Sequence, residues 1–251
     1  MAWDWQVFCK ETTTGDIIAG CFGKGGDQTY LNWIFSAWGW TLTVALCALV
    51  VALVTGLIVG TIRTLPNSPW LVRIGHAWVE LFRNIPLLVQ LFLWYFVVPG
   101  IFPSFQGVPS IVLVVLALGL FTSARVAEQV RAGIQALPRG QRYAGMAMGF
   151  STFQTYRFVL LPMALRIVIP PMTSESMNII KNSSVAFAVS IAELTFFARQ
   201  SGEETSAPVE MYLAVTVLYA ISAFAINRIM RVIEKKSQVP GFVAAGGMGG
   251  H

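Results

Sequence analysis

Long intervals without charge dominate the hydrophobic pattern of this chain. Three of them contain no Asp, Glu, Lys or Arg: residues 28–62, 84–124 and 211–227. A transmembrane helix needs about 20 consecutive apolar residues, so the second interval is long enough for two. Its middle, residues 99–109, holds three prolines and two glycines, which indicate a turn. The pattern therefore predicts four spans, at residues 41–62, 85–98, 110–126 and 211–227.

A fifth apolar segment, residues 160–192, differs from the others because it carries both charges and prolines. These residues are Arg166, Glu175, Lys181, Pro162, Pro170 and Pro171. A charged side chain is costly in hydrocarbon unless it faces other protein groups. We therefore predict that this span faces the interior of a helix bundle and that prolines break its entry.

The composition agrees with a membrane protein. Of the 251 residues, 55% are hydrophobic and 12% are charged, and the mean hydropathy is +0.66. A soluble domain carries about 25% charged residues. These values exclude a disordered tail, a repeat solenoid with a polar face and a typical cytosolic enzyme. The predicted fold class is an all-α integral membrane protein with five transmembrane helices.

The distribution of basic residues predicts the orientation. Five spans place the two termini on opposite sides, and 13 of the 17 Lys and Arg residues then fall on one side, with three on the other. Cytoplasmic loops carry the excess of Lys and Arg, so we expect the N-terminus outside and the C-terminus in the cytoplasm. The basic balance therefore needs no nucleic-acid partner. The predicted division is an outer segment (1–37), a transmembrane domain (38–232) and a cytoplasmic tail (233–251).

The chain contains three cysteines, Cys9, Cys21 and Cys47. Cys47 lies in the first span and is interpreted as a small packing residue. Cys9 and Cys21 both fall in the outer segment, where an oxidising compartment would permit a disulfide. A disulfide and two free thiols are the alternatives, and the free thiols are favoured.

The segment at residues 138–160 carries a set of helix boundary signals. Pro138 suits the first turn of a helix, and Gly149 suits the position just after a helix end. Ser151 and Gln154 have the spacing of a capping box, which predicts that a second helix starts at Ser151. Two short helices with a sharp corner would suit docking into a groove of another protein. The alternative is a loop that merely tethers two spans.

This segment resembles the loop motif of ABC-importer permeases. The family pattern is Glu-Ala-Ala, three residues, Gly, nine residues, a hydrophobic residue, any residue and Leu-Pro. The matching positions here are Gly149, Val159, Leu161 and Pro162. Where the family has Glu-Ala-Ala, this chain has Tyr143, Ala144 and Gly145. The acidic residue is missing, so a salt bridge made by it in the family is not expected here.

A second segment, residues 80–92, is similar to a signature of polar amino-acid permeases. Its signature residues are Glu80, Arg83, Asn84, Pro86 and Gln90. Residues 128–134 and 178–184 also match that subfamily, and the resemblance extends over residues 41–231. The likeness is greatest to a permease subunit of bacterial glutamate/aspartate importers. Glu80 and Arg83, three residues apart at a predicted helix start, are expected to pair, or else to serve a subunit contact.

The resemblance implies that the chain lies in the bacterial inner membrane and works with a set of partners. These are two cytoplasmic ATPase subunits, a second and homologous permease chain, and a periplasmic amino-acid-binding protein. By this resemblance the ATPase groove would receive five residues of the loop: Ala144, Gly145, Gly149, Phe150 and Ser151. ATP and Mg²⁺ would bind the partner, because the Gly-rich residues 20–26 lack the spacing of a phosphate loop. The chain is therefore expected to bind no cofactor and to have no ATPase site of its own.

Polar residues of the fifth segment are candidates for the substrate pathway. On a helix Glu175, Asn178 and Asn182 share one face, and Lys181 flanks it. An acidic residue, amides and a lysine suit both the ammonium and the carboxylate of an amino acid. Arg125, near the inner end of the third predicted span, could receive a side-chain carboxylate. The alternatives are that Glu175 and Lys181 only pair with other helices and that Arg125 snorkels to the interface.

Other functional classes remain alternatives. The same architecture could import glutamine, arginine or another polar amino acid. An ion-driven carrier would have two inverted repeats, which the five spans do not resemble. A membrane enzyme would need a catalytic cluster, and His76 and His251 form none in the sequence. His76 also lacks neighbouring ligand residues, so no metal site is predicted.

Overall fold

The computed structural model describes residues 4–23 and 28–237. Within these residues the chain is helical, with two isolated β-bridges in the N-terminal segment and no extended strand. The main helices of the described chain are α1 (Tyr30–Ile62), α2 (Pro69–Asn84), α3 (Leu87–Ile101), α4 (Ser110–Gln135), α5 (Arg139–Ala147), α6 (Thr152–Val189), α7 (Leu194–Thr205) and α8 (Pro208–Ser237). Residues 24–26 of the Gly-rich stretch and 238–251 of the predicted tail lie outside the described residues.

The count of membrane spans agrees with the prediction. Four described helices, α1, α4, α6 and α8, are long and apolar enough to cross a membrane. Helices α2 and α3 form a pair bent by 104°, which makes five spans if the pair counts as one. The bend occurs at Ile85, which is extended because the following Pro86 disfavours helical backbone before it. The predicted all-α fold with five spans is confirmed.

Helix α2 lies between the first two predicted spans, where the charge-free intervals predicted no element. The helix is amphipathic: Gly75, Val79 and Phe82 are buried, whereas Arg73 and Arg83 are exposed. Its charged residues interrupt the apolar run, so the helical spacing of its apolar positions was not recognised. Helix α1 also begins at Tyr30, before the apolar core predicted at residues 41–62.

The prediction that prolines break the entry of the fifth apolar segment, residues 160–192, is wrong. Helix α6 runs from Thr152 to Val189, with Pro170 and Pro171 inside it. Pro162 follows a π-helical turn, Tyr156–Leu160, which closes with a hydrogen bond from Leu161 N to Tyr156 O. A π turn shifts the carbonyls by one residue, so the missing N–H of Pro162 is accommodated without a break. In an apolar stretch of 18 residues of α6, 28% of the residues are buried, whereas 56% are buried in the corresponding stretch of α4.

The chain forms two compact units, one of which contains the described parts of residues 1–50, 86–119 and 178–224. Its apolar core joins the N-terminal segment, α1, α7 and α8 through Val7, Ile34, Phe197 and Met211. Trp33 packs edge-on against Phe197, with ring centroids 5.2 Å apart. Burial of these large side chains stabilises the N-terminal segment against the helices.

The N-terminal segment is closed by a disulfide between Cys9 and Cys21. The favoured prediction of two free thiols is therefore wrong, and Cys47 is the free cysteine of the described chain. Local sequence held no signal for the choice, because cysteine spacing alone does not fix pairing. Two isolated β-bridges, Lys10 with Ile17 and Glu11 with Thr29, fold the segment back on itself and bring the two cysteines together.

The second unit contains the described parts of residues 51–85, 120–177 and 225–251. Its core joins α4 to α6 through Val126, Val130, Leu160 and Val168. Helix α1 approaches α4 closely at Gly60, where an added Cβ would lie 2.6 Å from the carbonyl oxygen of Ala127. Small residues at such a contact allow two membrane helices to pack backbone to backbone.

Candidate functional site

The loop between α4 and α6 is a compact corner. Helix α5 ends in a Schellman motif: Phe150 N donates to Gly145 O at 3.1 Å, and Gly149 N donates to Met146 O at 3.0 Å. Gly149 has φ +79°, a left-handed conformation that favours glycine. The predicted helix end at Gly149 is thus confirmed. Pro138 precedes the first turn of α5 as its N-cap, one position before the one predicted.

A capping box starts the next helix at Ser151, as predicted. Gln154 N donates to Ser151 Oγ at 3.3 Å, and Ser151 N donates to Gln154 Oε1 at 2.8 Å. The second helix of the loop is not short, however, because it continues without a break as α6. The loop is therefore one short helix held against the end of a membrane helix, so a force on α5 acts directly on α6.

Buried contacts fix the corner to the rest of its unit. A Cβ at Gly145 would lie 3.0 Å from Thr155 Cγ2, so α5 packs tightly on the first turn of α6. Tyr156 is 5% exposed, and its hydroxyl donates to the backbone carbonyl of Thr64 at 2.5 Å. This bond ties α6 to the chain just after α1. Leu161 contacts the same apolar core, whereas Pro162 is exposed.

The outer surface of the corner is apolar. Tyr143, Met148 and Phe153 are 64%, 66% and 69% exposed, and Ala144 and Ser151 are exposed beside them. Large apolar side chains clustered on a polar loop are typical of a protein interaction site. Phe150 is half-buried. This geometry favours docking over the alternative of a simple tether.

Arg125 of α4 and Glu175 of α6 form an ion pair. Arg125 Nη1 lies 3.7 Å from Glu175 Oε2, and Gln129 Nε2 donates to Glu175 Oε1 at 3.2 Å. Glu175 is 7% exposed, whereas the Arg125 side chain is 41% exposed and its guanidinium lies 5.2 Å from the ring centroid of Phe121. The carboxylate is buried, and the guanidinium keeps an accessible side.

The other predicted pathway residues lie further along the chain. Asn178 and Asn182 are partly buried at the C-terminal end of the regular part of α6, and Lys181 is exposed beside them. Among the described residues, Lys181 forms no ion pair. The structure therefore brings together Arg125 and Glu175 but does not place Lys181 against Glu175.

The family-signature residues lie around the α2–α3 bend. Glu80, Arg83 and Asn84 are exposed at the end of α2, Pro86 caps α3, and Gln90 is 3% exposed within it. The expected pairing of Glu80 with Arg83 at a helix start is wrong. The ion pairs of the described chain do not include them, and they sit at a helix end with both side chains exposed.

The sequence interpretation missed a charged cluster in the second unit. Glu128 pairs with both Arg63 and Arg131, and Arg63 also contacts His76 Nδ1 at 3.2 Å. Arg63 is only 7% exposed, although its position after the first span indicated a solvent-exposed basic loop. The Glu128 carboxylate is partly exposed and is shared by two arginines, so this cluster keeps a net positive charge.

A second missed group is Glu193, which is fully buried in the first unit. Its carboxylate caps α7 by accepting hydrogen bonds from the backbone amides of Thr195 and Phe196, both at 2.9 Å. Tyr219 donates to the same carboxylate at 2.8 Å. Burial raises the pKa of the Glu193 carboxyl, and these hydrogen bonds oppose the shift. The only sequence signal was an acidic residue directly before a helix.

The described residues contain no group of three or more His, Cys, Asp and Glu side chains that could hold a metal ion. His76 contacts an arginine instead of other ligand residues.

Comparison with known proteins identifies the class. A family model described as "Binding-protein-dependent transport system inner membrane component" matches residues 52–239. The chain belongs to this family, and it is a multi-pass inner-membrane transport component. The resemblance to ABC-importer permeases is thereby confirmed.

Individual relatives make the comparison more specific. The chain is 39% identical over 249 residues to the glutamate/aspartate import permease protein GltJ of Escherichia coli strain K12, covering 95% of this chain and 96% of that protein. It is 31% identical over 204 residues to the glutamine transport system permease protein GlnP of the same strain, covering 79% and 90%. A solved amino acid ABC transporter with histidines superposes with a TM-score of 0.71 and 26% identity, covering 82% of this chain and 95% of that one.

Proposed function

We propose that this chain is the permease subunit of an ATP-driven importer that carries glutamate and aspartate from the periplasm to the cytoplasm by alternating access. The observation that carries the proposal is the 39% identity, over almost the whole of both chains, to a glutamate/aspartate import permease. The lower identity of 31% to a glutamine permease favours the acidic substrates over glutamine.

The proposed assembly contains two ATPase subunits, a second homologous permease chain and a periplasmic amino-acid-binding protein. ATP and Mg²⁺ act in the ATPase partner. The exposed apolar side chains Tyr143, Met148 and Phe153 support docking of the loop into that partner. Its tight anchoring through Tyr156 supports transmission of ATPase closure to α6.

The proposed orientation has the N-terminus in the periplasm and the loop at 138–160 in the cytoplasm. The disulfide between Cys9 and Cys21 supports it, because disulfides persist in oxidising compartments and are rare in the cytoplasm. The excess of Lys and Arg on the loop side supports the same orientation.

In the proposed pathway, Arg125 receives the side-chain carboxylate of the substrate. Its partial exposure leaves a face of the guanidinium for a second carboxylate, while Glu175, itself held by a hydrogen bond from Gln129, fixes the position of Arg125. Asn178, Lys181 and Asn182 complete the set of polar candidates for the remaining groups of the amino acid.

The test is ATP hydrolysis by the complete reconstituted complex, with each amino acid presented on its cognate binding protein. Glutamate and aspartate are expected to stimulate hydrolysis most, with glutamine and arginine as the comparison. Equal or greater stimulation by glutamine would overturn the substrate assignment. Purification without any ATPase subunit would overturn the importer itself.

A further inference from the structure

A cavity of about 540 Å³ lies in the second unit beside the first turn of α5. Three arginines line it: Arg63, Arg139 and Arg142. No Asp or Glu is among its lining residues. Its lining includes Arg139 and Arg142 of the loop but none of the exposed apolar side chains Tyr143, Met148 and Phe153, and neither Arg125 nor Glu175. Neither the proposed docking nor the proposed pathway therefore accounts for its arginines.

The charges around this cavity are only partly neutralised. Arg63 and Arg131 share the single carboxylate of Glu128. Arg139 and Arg142 form no ion pair among the described residues, and both are accessible. A surplus of guanidinium groups next to a partly buried ion pair makes an attractive potential for an anion.

The backbone adds to this potential. Helix α5 has nine residues and begins at Arg139, and no side chain caps its first turn. The free N–H groups and the dipole at a helix N-terminus favour a negative group. Buried Arg63 is an independent observation: it lines the same cavity, its terminal nitrogens contact Glu128 and His76, and its Nε has no hydrogen-bond partner, so the guanidinium is incompletely satisfied.

The remaining lining selects the class of anion. Leu65, Val72 and Leu137 form an apolar side of the cavity. An amino acid would need an acceptor for its ammonium group, and the lining offers no carboxylate. A phosphate group attached to an apolar chain satisfies both the arginines and the apolar side.

The place of the cavity along the spans agrees with a lipid. Arg63 directly follows α1, and Gln135 is the last residue of α4, so the cavity lies where two membrane helices end. Basic pockets at such positions suit anionic phospholipid head groups. We propose that this cavity binds a phosphate-bearing anion, with the head group of an anionic phospholipid as the source that the lining favours.

This inference uses the cytoplasmic orientation of the loop given under the proposed function. An anionic lipid held beside α5 would contact the element that is proposed to dock into the ATPase. The lipid would thereby stabilise one arrangement of α5 relative to α6.

The test measures phosphatidylglycerol bound to the complete complex in phosphatidylcholine nanodiscs. The variant Arg139→Gln/Arg142→Gln is expected to bind phosphatidylglycerol roughly 30-fold more weakly, from the loss of two basic contacts. Arg139→Lys/Arg142→Lys keeps the charge and should retain most binding. Arg228→Gln/Arg231→Gln is the matched control, because it removes two accessible arginines of α8 outside the cavity.

A second arm titrates inorganic phosphate in nanodiscs without anionic lipid and follows thermal unfolding. Selective binding of phosphatidylglycerol by the wild type and the control supports the head group as the source. A phosphate-induced shift in the wild type and the control, absent in the variant, supports a free phosphate source. Equal binding of both probes by all proteins overturns the site.

Glutamate uptake by the same complexes in sealed vesicles separates the two proposals. Intact uptake without selective anion binding refutes the cavity alone. Selective anion binding without glutamate or aspartate uptake refutes the proposed substrate alone.

Discussion

At the residue scale, the pairing of Arg125 with Glu175 changes what each side chain can do. The sequence offered both as pathway candidates and left helix pairing as the alternative. Glu175 is buried and held by two partners, Arg125 and Gln129, so it contributes to the packing of α4 against α6. Arg125 contacts that carboxylate on one side and is accessible on the other, where a substrate could bind. Mutation can therefore separate a role in binding substrate from a role in pairing with Glu175.

We expect Arg125→Ala to lower glutamate uptake by roughly 10-fold to 100-fold, the range for losing one hydrogen-bonded charge. Uptake by the assembled complex in vesicles measures this. The double variant Arg125→Ala/Glu175→Ala distinguishes the roles. If Arg125 binds substrate, uptake stays low in the double variant. Recovery of uptake there would mean that Arg125 serves only to neutralise Glu175.

Glu193 gives a second prediction at this scale. Glu193→Ala removes the cap of α7 and the acceptor of the Tyr219 hydroxyl, so the free energy of unfolding should fall by about 1–2 kcal/mol. Thermal unfolding of the purified chain measures the change. Glu203→Ala is the control, because Glu203 is exposed and its ion pair among the described residues is with Arg199, one turn earlier. An equal shift for both variants would contradict the capping role.

At the scale of elements, the structure separates what local sequence determines from what packing determines. Gly149 and the Ser151–Gln154 pair set boundaries through their own backbone requirements, so the sequence located them. The entry of α6 was mispredicted because the consequence of Pro162 depends on the π turn before it. The pairing of Glu128 with Arg63 joins residues 65 positions apart, and no local pattern records such a contact.

The corner at Gly149 gives the prediction for this scale. Gly149→Ala forces a side chain into the left-handed conformation, which costs about 1 kcal/mol, and should disturb the angle between α5 and α6. We expect reduced substrate-stimulated ATP hydrolysis by the complex. Gly140→Ala serves as the matched control, because Gly140 lies in the first turn of α5 and an added Cβ there would meet open space. Normal stimulation in Gly149→Ala would show that the corner conformation is dispensable.

At the scale of the whole molecule, the membrane spans could be predicted from the sequence, whereas several tertiary features could not. The charge-free intervals located the spans because the hydrocarbon imposes one simple rule on every residue. The amphipathic α2 was not predicted, because its exposed charges interrupt the run of apolar residues. The disulfide was not predicted, because its formation depends on how the N-terminal segment folds back on itself.

The disulfide carries the prediction for the orientation of the molecule. In a Cys47→Ser background, intact cells should show no thiol labelling of Cys9 or Cys21 without reductant and labelling of both after reduction. Reduction should also loosen the N-terminal segment, because a bridge over a loop of this size contributes about 3 kcal/mol in the chain-entropy model. Labelling before reduction would contradict both the bridge and the oxidising compartment.

The π turn at Tyr156–Leu160 has a consequence for insertions and deletions in relatives of this chain. Removing one residue there would restore regular α-helical bonding but would turn everything before it by about 100° about the helix axis. Phe153 would then leave the side on which it is now displayed. The number of residues between Gly149 and Pro162 therefore sets an azimuth as well as a length, and a gap in this interval should be tolerated less than a substitution.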